Sequence, residues 1–200
     1  MDTKIRLSEQ ELELVLNADW ILKKNAILVK AKKLLETIAA EMQEELKQKN
    51  IIPTAVINIA PKISKGENYQ GLPYLVLDFP RFFEKENIFA IRTFFWWGNF
   101  FSITIQLSGI YQQTYSEKIL LSKSILEATN FSVCISDDPW EHHFEKSNYE
   151  SIENLTEKEF SQLILKSSFL KIAKKFPLQQ WNEVEEELLM NFKFLIELLD

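Results

Sequence analysis

The residues with the clearest potential for chemistry lie in one seven-residue segment of the chain. It contains both histidines, His142 and His143, and three carboxylates, Asp137, Asp138 and Glu141. Imidazole nitrogens and carboxylate oxygens are ligands for Zn²⁺ and Mn²⁺, and a loop can bring such groups together. The segment therefore permits a metal-dependent hydrolase with its metal bound here.

Two features of this segment argue against a metal site. Adjacent side chains of an extended chain point to opposite sides, so His142 and His143 cannot both face one ion. The sequence has no H-E-x-x-H motif, and Cys134 is the single cysteine. We therefore favour a solvated acidic loop, expect neither a metal nor another cofactor, and keep the hydrolase as an alternative function.

A second candidate is the pair formed by Asp78 and Arg92. Arg92 lies among apolar residues on a predicted strand, where an unpaired buried charge would cost several kcal/mol, in order of magnitude. Asp78, on the neighbouring predicted strand, is the nearest carboxylate that can neutralise it. We interpret the two as a structural ion pair, with recognition of an anionic ligand as the alternative.

The sequence offers no arrangement for nucleophilic catalysis. It has no G-x-S-x-G motif, and Cys134 lies within a short predicted strand at Phe131–Ile135. The phosphate-binding patterns G-x-x-x-x-G-K-[ST] and G-x-G-x-x-G are also absent. These observations favour a non-enzymatic binding or interaction protein.

The element that organises the chain is the apolar stretch Ile88–Leu107. Two strands joined by a two-residue turn at Gly98-Asn99 are expected, because these residues tolerate positive φ. In that register Trp97 lies opposite Phe100, and Phe95 shares their face because side chains alternate along a strand. This face mixes aromatic and hydroxyl side chains, as ligand pockets do.

We expect the aromatic face to be the binding surface, since exposed aromatic side chains mark interaction sites. Three aromatic and three basic side chains make up the expected surface: Phe95, Trp97, Phe100, Arg81, Lys62 and Lys65. The expected occupant is an unidentified protein partner or a small apolar anionic ligand. A homodimer formed through the hairpin tip, as a structural subunit, is the remaining alternative.

Composition limits the class of protein. The chain has 200 residues, a formal net charge of −6 and 46% hydrophobic residues, which fits one globular domain over residues 1–200. The absence of a basic stripe argues against nucleic acid as a partner. Arg92, Asn99 and Gln106 interrupt the apolar stretch, which argues against a membrane span. One cysteine and a polar Met1–Arg6 favour a soluble cytoplasmic protein.

The order of the predicted elements indicates an α+β fold. Amphipathic helices are predicted over 8–49, a mainly antiparallel sheet over 54–108, and helices with one short strand over 114–199. The helices from both chain ends are expected to pack on the sheet. Within the first region, Ser8 and Glu11 form a capping box, and Trp20 and Ile27 begin a stripe expected to be buried.

Several local expectations depend on single residues. A strand is predicted at Thr54–Ile59, a loop at 60–71, and a strand at Leu72–Phe79 that Pro80 ends. Thr114 is expected to begin a helix as the first residue of a capping box, as is Thr156. The segment 169–176 fits either a helix or a strand.

Overall fold

A computed structural model of the chain describes residues 5–47, 49 and 51–200. The strands are β1 Lys62–Tyr69, β2 Leu72–Phe83, β3 Ile88–Trp96, β4 Phe100–Ser108, β5 Ser132–Cys134, β6 Tyr149–Ser151 and β7 Phe169–Pro177. They form one antiparallel sheet in the order β1-β2-β3-β4-β7-β5-β6. Sequential strands are therefore neighbours until the chain leaves β4.

The helices come from both ends of the chain. They are α1 Glu9–Leu16, α2 Ala18–Leu46, α3 Thr54–Ile57, α4 Gly109–Leu121, α5 Lys123–Ala128, α6 Glu157–Lys166 and α7 Val184–Glu197, with 3-10 turns at Ile152–Asn154 and Leu178–Gln180. The helices α2 and α7 contact each other and also contact strands of the sheet. This arrangement confirms the predicted α+β fold.

The first turns of three helices are capped by side chains. Ser8 and Thr156 each accept a hydrogen bond from the backbone N–H three residues later, while Glu11 and Glu159 bond back to the cap. The Asn17 side chain accepts a hydrogen bond from the backbone N–H of Trp20 at 3.1 Å. Two of the three predicted capping boxes, those at Ser8 and Thr156, are confirmed, and each satisfies N–H groups that lack a partner in the first turn.

The helices cover one face of the sheet, and the main core lies between the helices and this face. Alternation along each strand brings apolar side chains to this face. The central hairpin contributes Phe89, Ile91, Phe95, Phe101, Ile103, Ile105 and Leu107 to it, all buried. We call this the helix-covered face.

The register of the central hairpin differs from the prediction by one residue. Phe100 pairs with Trp96 and Phe101 with Phe95, so that the connection is Trp97-Gly98-Asn99, with Gly98 at φ 72°. A one-residue change of register moves a side chain to the other face of the strand. The predicted shared face was therefore wrong: Phe95 and Phe100 lie on opposite faces.

Three further predictions in the sheet region were wrong. The residues predicted as a strand at Thr54–Ile59 form α3, whose first backbone bonds go to the Pro53 carbonyl. The predicted loop at 60–71 contains β1, which is largely polar because it is an edge strand with exposed side chains. Pro80 does not end β2. The register of β2 against β3 shifts between Asp78 and Arg81, so the strand pairing does not require a backbone N–H at Pro80.

The C-terminal half shows one correction and one resolved alternative. Thr114 lies inside α4, which begins five residues earlier at Gly109, and its hydroxyl donates to the Ile110 carbonyl at 2.7 Å. The predicted short strand at Phe131–Ile135 is β5, and the ambiguous segment 169–176 is β7, paired with β4 along nine residues. None of the helices described has the length and apolarity needed to cross a bilayer.

Candidate functional site

An irregular segment covers the second face of the sheet. Residues 135–148, which we call the cover segment, contain bends and turns but no helix or strand. The His142 ring lies 5.0 Å from the Phe94 ring, and the Phe144 ring lies 5.2 Å from the Phe100 ring, centroid to centroid. Phe94 and Phe100 belong to β3 and β4, so the segment lies directly over the centre of the sheet.

Polar side chains line the sheet beneath this segment. Six of them are less than 9% exposed: Asp78, Arg92, Ser102, Thr104, Gln106 and Lys171. We call this set the polar floor. Its members lie on neighbouring strands, because Asp78 pairs with Arg92, Arg92 with Thr104, and Gln106 with Lys171. The second face is therefore polar at its centre and aromatic towards the hairpin tip.

The guanidinium group of Arg92 is bound on two sides. Its Nε donates to Asp78 Oδ1 at 2.7 Å and its Nη2 to Asp78 Oδ2 at 3.1 Å, a bidentate pair between strands. Its Nη1 lies 3.2 Å from His142 Nε2, and its Cζ lies 5.8 Å from the Trp140 ring centroid. Arg92 therefore joins the sheet to the cover segment.

Lys171 has a different kind of environment. Its side chain is buried, and its ammonium donates to the backbone carbonyls of Pro139, at 3.1 Å, and Glu141. It also lies 5.3 Å from the centroid of the Tyr149 ring. Burial lowers the pKa of Lys171 to about 8. Carbonyl oxygens of the cover segment, rather than a carboxylate, hold this ammonium.

The neighbouring side chain, Gln106, is 2% exposed, and its amide nitrogen has no hydrogen-bond partner. It pairs with Lys171 across β4 and β7, and with Ala90 across β3 and β4. A buried amide N–H without an acceptor is uncommon, and each case calls for an explanation.

A tyrosine from the edge strand fixes the cover segment. The Tyr69 hydroxyl accepts hydrogen bonds from the backbone N–H groups of His142, at 2.7 Å, and His143, at 3.0 Å. The Tyr69 ring also packs edge-on against Trp96 at 5.0 Å between centroids. The two ends of the segment are joined by a hydrogen bond in which the Ile135 N–H donates to the Asn148 carbonyl at 2.8 Å.

Electrostatics keep several groups of this site in their neutral form. Burial, reinforced by the positive charges of Arg92 and Lys171, holds the pKa of His142 well below its usual range. Burial also raises the pKa of Cys134 and raises that of Tyr149 well above its usual range. A raised thiol pKa lowers the reactivity of Cys134 as a nucleophile.

The predicted metal ligands do not converge. The carboxylate of Asp138 accepts from the Trp140 N–H at 2.8 Å, and Glu141 accepts from the Ser136 hydroxyl at 3.1 Å. His143 lies 3.6 Å from Glu141, whereas His142 faces Arg92. Across residues 5–47, 49 and 51–200, no group of three or more His, Cys, Asp and Glu side chains could hold a metal ion. Asp137 is exposed.

The six residues of the predicted aromatic and basic surface do not meet. Phe95 is 1% exposed and contacts Trp181 on the helix-covered face, Phe100 lies under Phe144, and Trp97 lies in the turn. Arg81 pairs with Ala90, six residues along β3 from the hairpin tip, which is about 20 Å away.

The basic members of that surface have other partners. The Arg81 Nε donates to the Ala60 carbonyl at 3.0 Å, and Lys65 forms a salt bridge with Glu67 at 2.7 Å. Lys62 is exposed at the start of the edge strand β1. The predicted surface was wrong as a single patch, because the change in register and the strand length separate its members.

A second feature emerges at the other end of the molecule. Residues 5–27, which we call the N-terminal arm, comprise α1 and the first ten residues of α2. Every residue of the arm is exposed except Lys24, which is half-buried and forms a salt bridge with Glu67 at 2.7 Å. Leu28 is the first buried residue of α2. The predicted burial of Trp20 and Ile27 was wrong: they are 51% and 39% exposed, since α2 extends beyond the sheet.

The arm is apolar although it is exposed. It contains ten exposed large apolar side chains: Ile5, Leu7, Leu12, Leu14, Val15, Leu16, Trp20, Ile21, Leu22 and Ile27. Among the described residues, this short arm therefore carries about half of the exposed large apolar side chains. Clustered rather than scattered exposure of this kind marks an interaction surface.

Charge is distributed unevenly along the same helices. α1 carries Glu9, Glu11 and Glu13 and no basic residue. The stretch 20–35 of α2 carries Lys23, Lys24, Lys30, Lys32 and Lys33 and no acidic residue. The two parts are therefore electrostatically complementary.

Some of these features had a sequence signal. Ser102, Thr104 and Gln106 alternate with apolar residues, which places them on one face, and Lys171 interrupts the apolar run Phe169–Ala173. Nothing in the sequence indicated that the cover segment lies over them. That contact joins residues separated by about thirty positions.

Comparisons with known proteins add no relative. No protein-family model, no curated protein and no solved structure matches the chain.

Proposed function

We propose that the chain is a non-enzymatic interaction protein that forms a homodimer through its N-terminal arm. The observation that carries this proposal is the exposure of the arm: α1 has no buried residue, and ten large apolar side chains lie in contact with solvent. Helices with an unpartnered apolar side acquire stability by burying it against another element. The proposal keeps the interaction function expected from the sequence and assigns it to a different surface.

The size of the surface supports a stable dimer. At roughly 100 Å² of exposed area for each side chain, the ten apolar residues offer about 1,000 Å² per copy. A standard protein interface buries about 800 Å² per partner. The exposed apolar area of the arm is therefore of the order that a stable interface buries.

The charge pattern favours a second copy of the same chain as the occupant. In an antiparallel pair, the acidic α1 of one copy faces the basic stretch 20–35 of the other, and two-fold symmetry repeats this contact. Since both signs are present in one chain, no other partner is needed to supply complementarity. Among the described residues, no group of three or more His, Cys, Asp and Glu side chains could hold the metal ion that the hydrolase alternative requires.

Sedimentation velocity over a range of concentrations tests the proposal. We expect the wild type to dimerise, and the double variant Leu12→Ser, Leu16→Ser to remain monomeric with an unchanged circular dichroism spectrum. The matched control is Leu121→Ser with Leu165→Ser, which changes two exposed leucines outside the arm, 82% and 57% exposed. This control should dimerise like the wild type.

Exchanging the charges of α1 and of the stretch 20–35 tests whether the partner is a second copy of the chain. Glu9→Lys with Glu13→Lys, and separately Lys30→Glu with Lys33→Glu, should each weaken the dimer, because each double change places like charges opposite one another. In a heterodimer of the two variants, one charge contact keeps the wild-type signs and the other is reversed, so mixing the two variants should restore the dimer. Combining all four changes in one chain should restore it less fully, because the less basic 20–35 then takes part in both contacts. A wild type that stays monomeric up to about 100 µM would refute the proposal. A monomer that sediments with anionic vesicles would instead assign the arm to a membrane surface.

A further inference from the structure

The polar floor carries more positive charge than its own carboxylate neutralises. Arg92 and Lys171 are both buried, and Asp78 is the only buried carboxylate among the described residues. Both oxygens of Asp78 are bound by Arg92. Lys171 forms no salt bridge within the described part of the chain, and carbonyl oxygens are its hydrogen-bond acceptors. A buried ammonium ordinarily has a charged partner.

A second, independent observation lies beside this ammonium. The amide nitrogen of Gln106 is buried and lacks a partner, and Gln106 is the cross-strand neighbour of Lys171 on the same face of the sheet. A buried N–H donor without an acceptor, on Gln106, therefore lies next to the Lys171 ammonium, whose hydrogen-bond acceptors are all neutral. The missing component of this arrangement is an acceptor that carries negative charge.

We propose that the polar floor is an anion-binding site, in which a phosphate or carboxylate group binds between Lys171 and Gln106 when the cover segment is displaced. The anion takes the place of the Pro139 and Glu141 carbonyl oxygens on the lysine ammonium. It also accepts a hydrogen bond from the Gln106 amide nitrogen. This site is separate from the N-terminal arm and does not depend on dimerisation.

The way in which the cover segment is held suits a displaceable lid. It has no regular secondary structure. Its contacts with the polar floor are hydrogen bonds from Lys171, the approach of His142 to Arg92, and the Trp140 ring beside the Arg92 guanidinium. Trp140, at its centre, is 49% exposed. Residues 135–141, the part of the segment that includes the Pro139 and Glu141 carbonyls, contain no buried residue, and stretches with few buried apolar contacts open at a small cost in free energy.

Displacement of the segment also favours an anion electrostatically. The segment carries Asp137, Asp138 and Glu141, and the negative charges of the last two act on Lys171. When the segment moves away, these carboxylates leave, and Arg92 and Lys171 remain with Asp78 alone. The opened floor is therefore more positive than the closed one and attracts an anion more strongly.

Thermal unfolding in the presence of simple anions tests the site. The probes are inorganic phosphate, succinate and chloride, compared at equal ionic strength. We expect phosphate, succinate or both to raise the Tm of the wild type by at least about 2 °C above the chloride value. The comparison of phosphate with succinate identifies which anionic group the site prefers.

Three variants locate the effect. Lys171→Met and Gln106→Leu should each abolish or strongly reduce the anion-dependent rise in Tm. Gln106→Leu removes a donor that has no partner, so this variant should fold at least as well as the wild type. The matched control is Lys175→Met, which removes an exposed lysine from the same face of β7 and should keep the full rise.

Three results would overturn the proposal. One is a wild type whose Tm is the same in phosphate, succinate and chloride. Another is an anion-dependent rise that Gln106→Leu retains in full while the variant remains folded by circular dichroism. A rise lost in Lys175→Met but kept in Lys171→Met would assign anion binding to the exposed surface and would refute the buried site.

Discussion

Arg92 and Asp78 face each other across β3 and β2, and the guanidinium group donates two hydrogen bonds to the carboxylate. Both side chains are less than 9% exposed. A buried pair of this kind contributes little net stability compared with apolar residues, but it costs much free energy when one partner is removed. Its position between the helix-covered core and the cover segment makes it a sensitive probe of the second face.

Removing the carboxylate should destabilise the fold strongly. For Asp78→Ala we expect the free energy of unfolding to fall by about 3–5 kcal/mol, because Arg92 then remains buried without a counter-charge. Urea denaturation measures the change. Asp137→Ala, at an exposed position of the cover segment, should change it by less than about 0.5 kcal/mol. A loss below about 1 kcal/mol for Asp78→Ala would contradict the assigned role of the pair.

Acid should destabilise the protein through His142. The pKa of this histidine is lowered in the folded state, so the unfolded chain binds its proton more readily. The free energy of unfolding should therefore fall as the pH drops through the unfolded pKa of about 6.5. Chemical denaturation between pH 7 and 5 should show this fall in the wild type and in His143→Gln, but a smaller one in His142→Gln. Equal slopes in all three proteins would contradict the prediction.

Alkali should act in the opposite direction through Lys171. Its pKa is about 8 in the folded state and about 10.5 in the unfolded chain, so between these values the unfolded state binds more protons. The stability of the wild type relative to Lys171→Met should therefore increase from pH 8 to pH 10, by no more than about 3 kcal/mol. The difference between the two proteins, measured by urea denaturation, cancels tyrosine titration common to both. A difference that stays constant over this range would refute the prediction.

The position of the hairpin turn can be tested with two aromatic residues near the hairpin tip. Phe95→Ala should cost about 3–5 kcal/mol, because Phe95 is 1% exposed and packs against Phe101 and Trp181. Trp97→Ala should cost clearly less, because Trp97 is half-buried in the turn. Equilibrium unfolding of both variants gives the comparison. Equal costs for the two variants would contradict the placement of Trp97 in the turn.

The arm should be dispensable for the stability of the monomer. Deleting residues 1–16 removes α1 but keeps Asn17, which caps α2 through the Trp20 N–H. Since α1 has no buried residue, the free energy of unfolding at concentrations where the wild type is monomeric should change by less than about 0.5 kcal/mol. The concentration dependence of unfolding should disappear in the deletion variant. A loss of more than about 1 kcal/mol in the monomer would show that α1 stabilises the body.

The parts of the fold that were predictable depend on interactions between residues close together in the sequence. Capping boxes at Ser8 and Thr156 and the apolar alternation of β3 and β4 are signals carried by a few adjacent residues, and the structure follows them. The pairing of Asp78 with Arg92 was inferred for a similar reason, since a charge on a buried strand needs a near partner.

The parts that were missed depend on contacts between distant segments. The strand β1 is polar because it lies at the edge of the sheet, which no local pattern reveals. The turn after Trp96 contains three residues rather than two, and a single residue exchanges the faces of the whole second strand. Lys171 was missed as a site residue because its importance comes from the carbonyl groups of Pro139 and Glu141 above it.

The two outer strands of the sheet limit how this protein can polymerise. An unprotected edge presents free N–H and C=O groups on which further strands can add, the route to cross-β aggregates. Here β6 has only three residues, while β1 presents Lys62 and Lys65 and has an irregular register between Gly66 and Tyr69. Backbone templating is therefore disfavoured at both edges, so any contact between copies of the chain is expected to involve side chains and not added strands.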